Sequence, residues 1–234
     1  MAGLTVLAIG AHPDPFDMAY QCGGTLAKYA RAGHLVVAVS AVAENEAEAT
    51  RVGDALGVET RFLDLREGSI DDDPPTVHKI VDLIREVRPD LLITHQPTDY
   101  NPDHRNLSSA VLAAALLARV DELKSAHPPF VVRALYYSDT TSGVNSEPLI
   151  YVDVSDTFER KFQALALHES LSEKAGVDHL GSIEHLIERD RALAVVRGNQ
   201  VEVEYAEAFR LAVNYRVLGG FQYLPVPDAP RAEA

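Results

Sequence analysis

Apolar runs alternate with amphipathic stretches from residue 4 to residue 94. Residues 4–9 are continuously apolar, as a strand buried on both faces would be. Residues 22–33 predict a helix, with Leu26, Tyr29 and Ala30 on one face and Gly33 as its stop. Residues 34–39 read as a second strand, 44–56 as a helix ending at Gly57, and 60–65 as a third strand. Asp73 ahead of Pro74 and Pro75 predicts a capped helix start, and Val77, Ile80, Val81 and Ile84 then share one side. Residues 91–94 make a fourth strand.

Further on, Asp103 or His104 opens an alanine- and leucine-rich helix through about residue 123. Strands are expected over 131–137 and 149–152, with a polar loop over 140–148. Asp156 is placed to cap a helix running to His168. The stretch 169–187 has no single period, whereas 187–197 and 202–213 read as helical. Residues 225–234 form a tail rich in proline, alanine and glutamate that is expected to fray. Strands alternating with helices imply the α/β class, with a mostly parallel sheet and helices on both faces. One domain over residues 1–224 accommodates every element. In such a sheet a ligand binds at the carboxyl ends of the strands, where the strand order reverses.

Two polar clusters sit where that rule directs attention. His12, Asp14 and Asp17 follow the first apolar run, and the stretch from His95 through Asp99 and Asn101 to Asp103 and His104 follows the fourth strand. If strands one and four flank the reversal, the clusters meet. Histidine nitrogens and carboxylate oxygens together suit zinc or another divalent ion. His12, an acidic residue two or five positions on, and His104 make three ligands, which leaves a position open for catalysis. A spare carboxylate in the first loop would then serve as general base. Asp103 is placed to orient a ligand rather than bind the metal. His95 reads either as a group supporting the site or as a satisfied core residue, and His168, His179 and His185 read as residues of surface or amphipathic segments.

Composition narrows the partners. A formal net charge of −14 argues against nucleic acid and anionic membrane surfaces, leaving a small molecule as the expected partner. A homo-oligomer is compatible with the sequence. The single cysteine, Cys22, permits no internal disulfide and reads as a small packing residue. The N-terminal apolar run lacks a basic lead and is too short for a signal peptide or a membrane span, so a cytoplasmic location is expected.

The chain resembles the PIG-L/LmbE family of zinc-dependent deacetylases. The family's opening Ala-His-Pro-Asp-Asp and Gly-Gly-Thr-Leu-Ala appear as Ala11-His12-Pro13-Asp14 and Gly23-Gly24-Thr25-Leu26-Ala27. Its second motif appears as Pro89-Asp90-Leu91-Leu92-Ile93-Thr94-His95, then Asn101-Pro102-Asp103-His104-Arg105. Tyr205-Ala206-Glu207-Ala208-Phe209 is also similar. The resemblance implies a Rossmann-like, LmbE-like fold holding Zn2+ or another divalent metal, and an enzyme that cleaves N-acyl amides of small molecules.

Three departures shape the expected site. Pro15 stands where the family has its metal-binding aspartate; a two-residue insertion restores the count, making Asp17 the ligand with His12 and His104, and Asp14 the base. The rival register makes Asp14 the ligand. Asn101 replaces a histidine that acts on the tetrahedral intermediate or as an acid, so it can contact an oxyanion but cannot transfer a proton. Asn-Pro-Asp-His also resembles a subgroup that hydrates the unsaturated acid 4-oxalomesaconate, and that hydratase is the first alternative. The loop 41–46 is short and lacks the arginine that binds a sugar in relatives. Arg105 and His95 are the expected substrate contacts, and the hydratase alternative adds Arg133. A metal-free binding relative is the second alternative.

Overall fold

The structure, a computed structural model, describes residues 3–13, 16–169 and 182–212. Seven strands and six helices occupy these residues: β1 (Thr5–Gly10), α1 (Asp17–Arg31), β2 (Leu35–Val42), α2 (Glu46–Leu56), β3 (Glu59–Leu65), α3 (Pro74–Val87) and β4 (Leu91–Thr94), then α4 (Pro102–Leu117), β5 (Ala134–Ser138), β6 (Ile150–Asp153), α5 (Phe158–Leu165), α6 (Ile183–Asn199) and β7 (Ala206–Leu211). The strands form one sheet in the order β3-β2-β1-β4-β5-β7-β6. Strands β3, β2, β1, β4 and β5 are mutually parallel, and β7 runs antiparallel to both β5 and β6. The expected α/β architecture with helices on both faces is therefore present.

Alternation along β1 builds the two halves of the core. Val6 and Ala8 face α1, α2, α5 and α6, whereas Leu7 and Ile9 face α3 and α4. Each fully buried leucine or isoleucine there contributes about 1.5–3 kcal/mol by leaving water. Asp73 caps α3 as expected, accepting from Thr76 N at 3.0 Å. Gly57 ends α2 with φ of 83°, a conformation that favours glycine.

Several elements differ from the sequence pattern. Helix α1 starts at Asp17 and holds a non-helical residue at Cys22, φ −145°, where the expected helix was to begin. Cys22 itself is fully buried, and burial pushes its thiol pKa up, in keeping with a packing role. Helix α4 ends at Leu117, short of residue 123. Arg85 of α3 is the reason: its guanidinium takes the carbonyls of Ala118, Val120 and Leu123 at 2.9, 2.6 and 3.0 Å, out of any helical ladder. Asp156 does not cap α5, because its carboxylate is engaged by Arg31 and Lys28. Thr157 precedes α5 instead, and the helix stops at Leu165. The expected helix over 202–213 contains strand β7. Pairing on both edges, with β5 and β6, overrides the helix preference of Ala206, Glu207 and Ala208. The tail over 225–234 and His179 lie outside the described residues. Among the described residues no helix is long and apolar enough to cross a membrane.

Strand β7 also completes a buried ionic cluster. Glu207 accepts from Gly24 N and Thr25 N at 2.9 and 2.8 Å, the amides freed where α1 restarts after Cys22. Lys161, fully buried, reaches Glu207 at 3.0 Å and Asp190 at 2.7 Å. Burial alone would discharge the lysine; the two carboxylates outweigh it and hold its pKa up. Burial also lifts Asp190, to about 6, against the pull of Lys161.

Candidate metal centre

Strands β1 and β4 are neighbours with connections leaving in opposite directions, so the order reverses between them. Both polar clusters leave the sheet at that crevice. Pro13 bridges Phe16, and Asp17 N donates to His12 O at 3.1 Å, so the chain doubles back between His12 and Asp17. This brings Asp17, the first residue of α1, beside His12 despite the inserted positions. Asp14 and Pro15 lie outside the described residues. Gly10 makes the approach possible, since a Cβ there would sit 2.8 Å from Asp17 Cβ.

His12, Asp17 and His104 come together. Their nearest donor atoms form a nearly equilateral triangle: His12 Nδ1 to Asp17 Oδ2 3.2 Å, His12 Nδ1 to His104 Nε2 3.2 Å, and His104 Nε2 to Asp17 Oδ2 3.3 Å. Ligands about 2.0–2.1 Å from a tetrahedral zinc lie about 3.3–3.4 Å apart, so the triangle matches three vertices of such a site. The far nitrogens are engaged elsewhere. His12 Nε2 meets Asp103 Oδ2 at 3.3 Å, and His104 Nδ1 lies 3.3 Å from Asp99 Oδ2, though off the hydrogen-bonding line. Carboxylates there favour a proton on the far nitrogen of each ring, which turns both remaining lone pairs toward Asp17. Three electron-rich atoms then face one point, an arrangement a cation or an added proton must relieve.

Without a cation, protons on the histidines balance the carboxylates. Burial disfavours charge on His104, yet Asp17 and Asp99 outweigh it and hold its pKa up to about 10. Burial likewise works against His12, and Asp17 raises it. Burial would raise Asp17, but His104 and His12 keep it well below the usual carboxylate range. The side chains are largely withdrawn from water, His12 at 12%, Asp17 at 9% and His104 at 4% exposure.

The remaining expected residues surround this centre. Asp103 touches His12, and its carboxylate also accepts from Gly68 N at 2.7 Å and Ile70 N at 3.3 Å, tying the loop after β3 to the site. Asn101 caps α4, its side-chain oxygen accepting from Asp103 N at 2.9 Å. Arg105 is exposed and spends Nη1 on the carbonyls of Asp99 and Tyr100, at 2.8 and 2.6 Å. Arg133 precedes β5 at the opposite end of the sheet. His95 is fully buried, so the structure gives it the supporting position rather than a substrate-facing one. Its Nε2 accepts from Ala11 N at 2.9 Å, its Nδ1 meets Gln21 Oε1 at 3.0 Å, and its ring stacks on His104 at 3.8 Å. Burial and His104 push its pKa down to about 4, which keeps it neutral in that role.

Three contributors were not singled out from sequence. Asp99 also accepts from Asn101 N at 3.0 Å, so the loop's turn, not its spacing, aims it at His104. Gln21 belongs to the part of α1 that the periodicity did not reveal. His168, expected on a surface or amphipathic segment, is fully buried; its Nε2 accepts from Phe16 N at 3.1 Å, pinning the start of α1.

A test of this scaffold follows from Gly10. In Gly10→Ala the added methyl displaces Asp17, and metal affinity is expected to fall by roughly 10–100-fold, as for other changes that disturb ligand support. Overpacking costs about 1–3 kcal/mol, so the variant stays folded. Competition with a chromophoric chelator measures the affinity, and an unchanged value would show that Asp17 does not need this approach.

Comparison with known proteins agrees with this picture. Residues 7–115 match the family model described as PIG-L, GlcNAc-PI de-N-acetylase. A curated relative, 4-oxalmesaconate hydratase of Pseudomonas putida KT2440, is 24% identical over 76% of this chain; the match covers 66% of that relative's length, just under two thirds. The crystal structure of 4-carboxy-2-hydroxymuconate hydratase from Pseudomonas putida KT2440 superposes with a TM-score of 0.77 at 20% identity, covering 94% of this chain and 100% of that one. The N,N'-diacetylchitobiose deacetylase of Pyrococcus horikoshii gives a TM-score of 0.73 at 21% identity, over 88% and 83% of the two chains. At these identities the structural likeness is one of fold. The match to the PIG-L family model, over residues 7–115, spans His12, Asp17 and His104 alike.

Proposed function

We propose that His12, Asp17 and His104 hold a divalent metal, zinc fitting best, and that the protein removes the acyl group from the nitrogen of a small-molecule amine. The donor triangle, with edges of 3.2–3.3 Å and one tetrahedral vertex left over, carries this reading. A metal bound there would polarise an acyl carbonyl and bring water into ionisation near neutral pH. The protein's own parts have separate tasks. Asp103 and Asp99 fix the planes and tautomers of the two histidines. Asp14, two residues beyond His12, is assigned as the base that takes a proton from the attacking water. Asn101 has spent its side-chain oxygen on the cap of α4, which leaves its NH2 to donate to a developing oxyanion.

A second reading is hydration of an unsaturated dicarboxylic acid. Asn101 favours it, because an amide cannot protonate a leaving amine, and so does the likeness to 4-oxalmesaconate hydratase. The intact donor set speaks against a relative that has lost its metal.

One assay separates the reactions. Metal-loaded protein is offered a panel of N-acetyl amines and, separately, 4-oxalomesaconate. Acetate release that stops with a chelator is expected. Consumption of 4-oxalomesaconate without acetate release supports the second reading. Inertness toward both, with stoichiometric metal bound, rejects both.

A further inference from the structure

Beyond β5, the loop carrying Thr141, Ser142 and Gly143 runs against α6 and leaves an open cleft of about 390 Å³. That volume lies within the range of small-molecule sites, roughly 300–1,000 Å³. Arg189, Leu193 and Arg197 form its helical wall. The loop comes this near because Gly143 has φ of 70° and no side chain; a Cβ would sit 2.4 Å from Leu193 Cδ1.

The two arginines are not equivalent. Arg197 is buried and neutralised, donating from Nε to Asp139 at 2.7 Å and from Nη2 to Gly143 O and Ser146 Oγ at 3.0 and 3.2 Å. It builds the wall. Arg189 is half-buried, and among the described residues no carboxylate is paired with it. A guanidinium with no carboxylate paired to it among the described residues, beside the hydroxyl-bearing Thr141 and Ser142, is suited to an oxyanion.

The cleft is linked to the metal centre through short contacts. Gln21 Nε2 donates to Thr141 Oγ1 at 3.5 Å, and Gln21 Oε1 meets His95, which stacks on His104. Burial and Asp190 push the Tyr20 hydroxyl's pKa up while Lys161 and Arg189 work against them, which places Arg189 near Tyr20, one turn along α1 from Asp17. Around them the protein is strongly acidic, with net charge −14, so an anionic ligand needs a local cation to enter.

We infer that this cleft is the subsite for an anionic end of the substrate, with Arg189 as its counter-ion. The molecule acted upon then carries a carboxylate or phosphate besides its reacting group. This rests on the reading that the metal centre acts on a small molecule, and it holds for either reaction.

Two measurements test it. In the first, inorganic phosphate is titrated calorimetrically into metal-loaded wild type, Arg189→Gln, and His104→Ala. Phosphate should bind wild type and His104→Ala alike, and bind Arg189→Gln about tenfold or more weakly, as loss of a charged hydrogen bond implies. Equal binding by Arg189→Gln, no binding by wild type, or binding lost only in His104→Ala overturns the subsite; the last would place the anion on the metal. In the second, N-acetylglycine and its neutral amide are compared as substrates. Arg189→Gln should raise KM for the acid about tenfold, leave kcat and the amide unchanged, and be partly rescued by Arg189→Lys. An equal rise in KM for acid and amide overturns the assignment. Release of no acetate from either compound, with Arg189-dependent phosphate binding intact, rejects the hydrolase reading and leaves the subsite standing.

Discussion

His104→Ala is expected to lose its metal and its turnover together. The ring supplies one corner of the triangle, 3.2 Å from His12 Nδ1 and 3.3 Å from Asp17 Oδ2. Removing it leaves two donors and strips Asp99 Oδ2 and the face of His95 of their neighbour. The fall in affinity should exceed the roughly 100-fold that marks the upper range for residues merely supporting a ligand. Elemental analysis of the purified variant against wild type reads this directly. Two companions decide the register of the first loop. Metal should be lost from Asp17→Ala, because Asp17 Oδ2 gathers both His12 Nδ1 and His104 Nε2 and is itself fixed by Ala11 N and His12 N at 3.0 and 2.7 Å. Metal should remain in Asp14→Asn while kcat collapses. Metal kept in Asp17→Ala and lost in Asp14→Asn would hand the ligand role to Asp14. Stoichiometric metal and normal turnover in His104→Ala would remove the site model altogether.

Lys161→Met is expected to be the most destabilising change remote from the centre. The ammonium is fully buried between Asp190 and Glu207. Methionine fills the space but leaves two carboxylates facing each other out of water. Breaking a buried ion pair in this way costs about 3–5 kcal/mol. At about 2–4 °C per kcal/mol for a domain of this size, Tm should fall by roughly 6–20 °C. Adding Asp190→Asn and Glu207→Gln should recover much of the loss, since the penalty is uncompensated charge rather than missing volume. Circular dichroism melts report both results. A Lys161→Met protein melting within about 2 °C of wild type would mean that the cluster is not a stability element.

Much of this molecule is legible in its sequence where the information is local. The apolar runs at β1 and β4 mark strands buried on both faces, and a strand's end is where polar side chains emerge, so the hydrophobic pattern points to the two polar clusters, within which residue chemistry picks out His12 and His104. What stays hidden depends on distant partners. Glu207 lies among residues of good helix propensity, and only β5 and β6 on its flanks make that stretch a strand. Arg85 reads as one more helix residue, yet it sets the end of α4. The supporting roles of Asp99, Gln21 and His168 depend on a turn, a kinked helix and a contact between residues far apart in the chain, none of which has a spacing rule.

The clamp on the kink of α1 has a consequence in time. Gly24 and the Glu207 that grips it are 183 residues apart. On the ribosome the three proposed metal donors exist once His104 has been made, while the carboxylate that clamps α1 beyond its kink is still to come. At roughly 5–20 residues per second the interval lasts roughly 5–20 s. During it the nascent chain offers loose histidines and a carboxylate, a set that ranks metals by intrinsic affinity and would favour copper over zinc. The clamp on α1 closes only once β7 is in place, so a metal held at the proposed centre would meet the complete scaffold in the finished protein and not in the growing one.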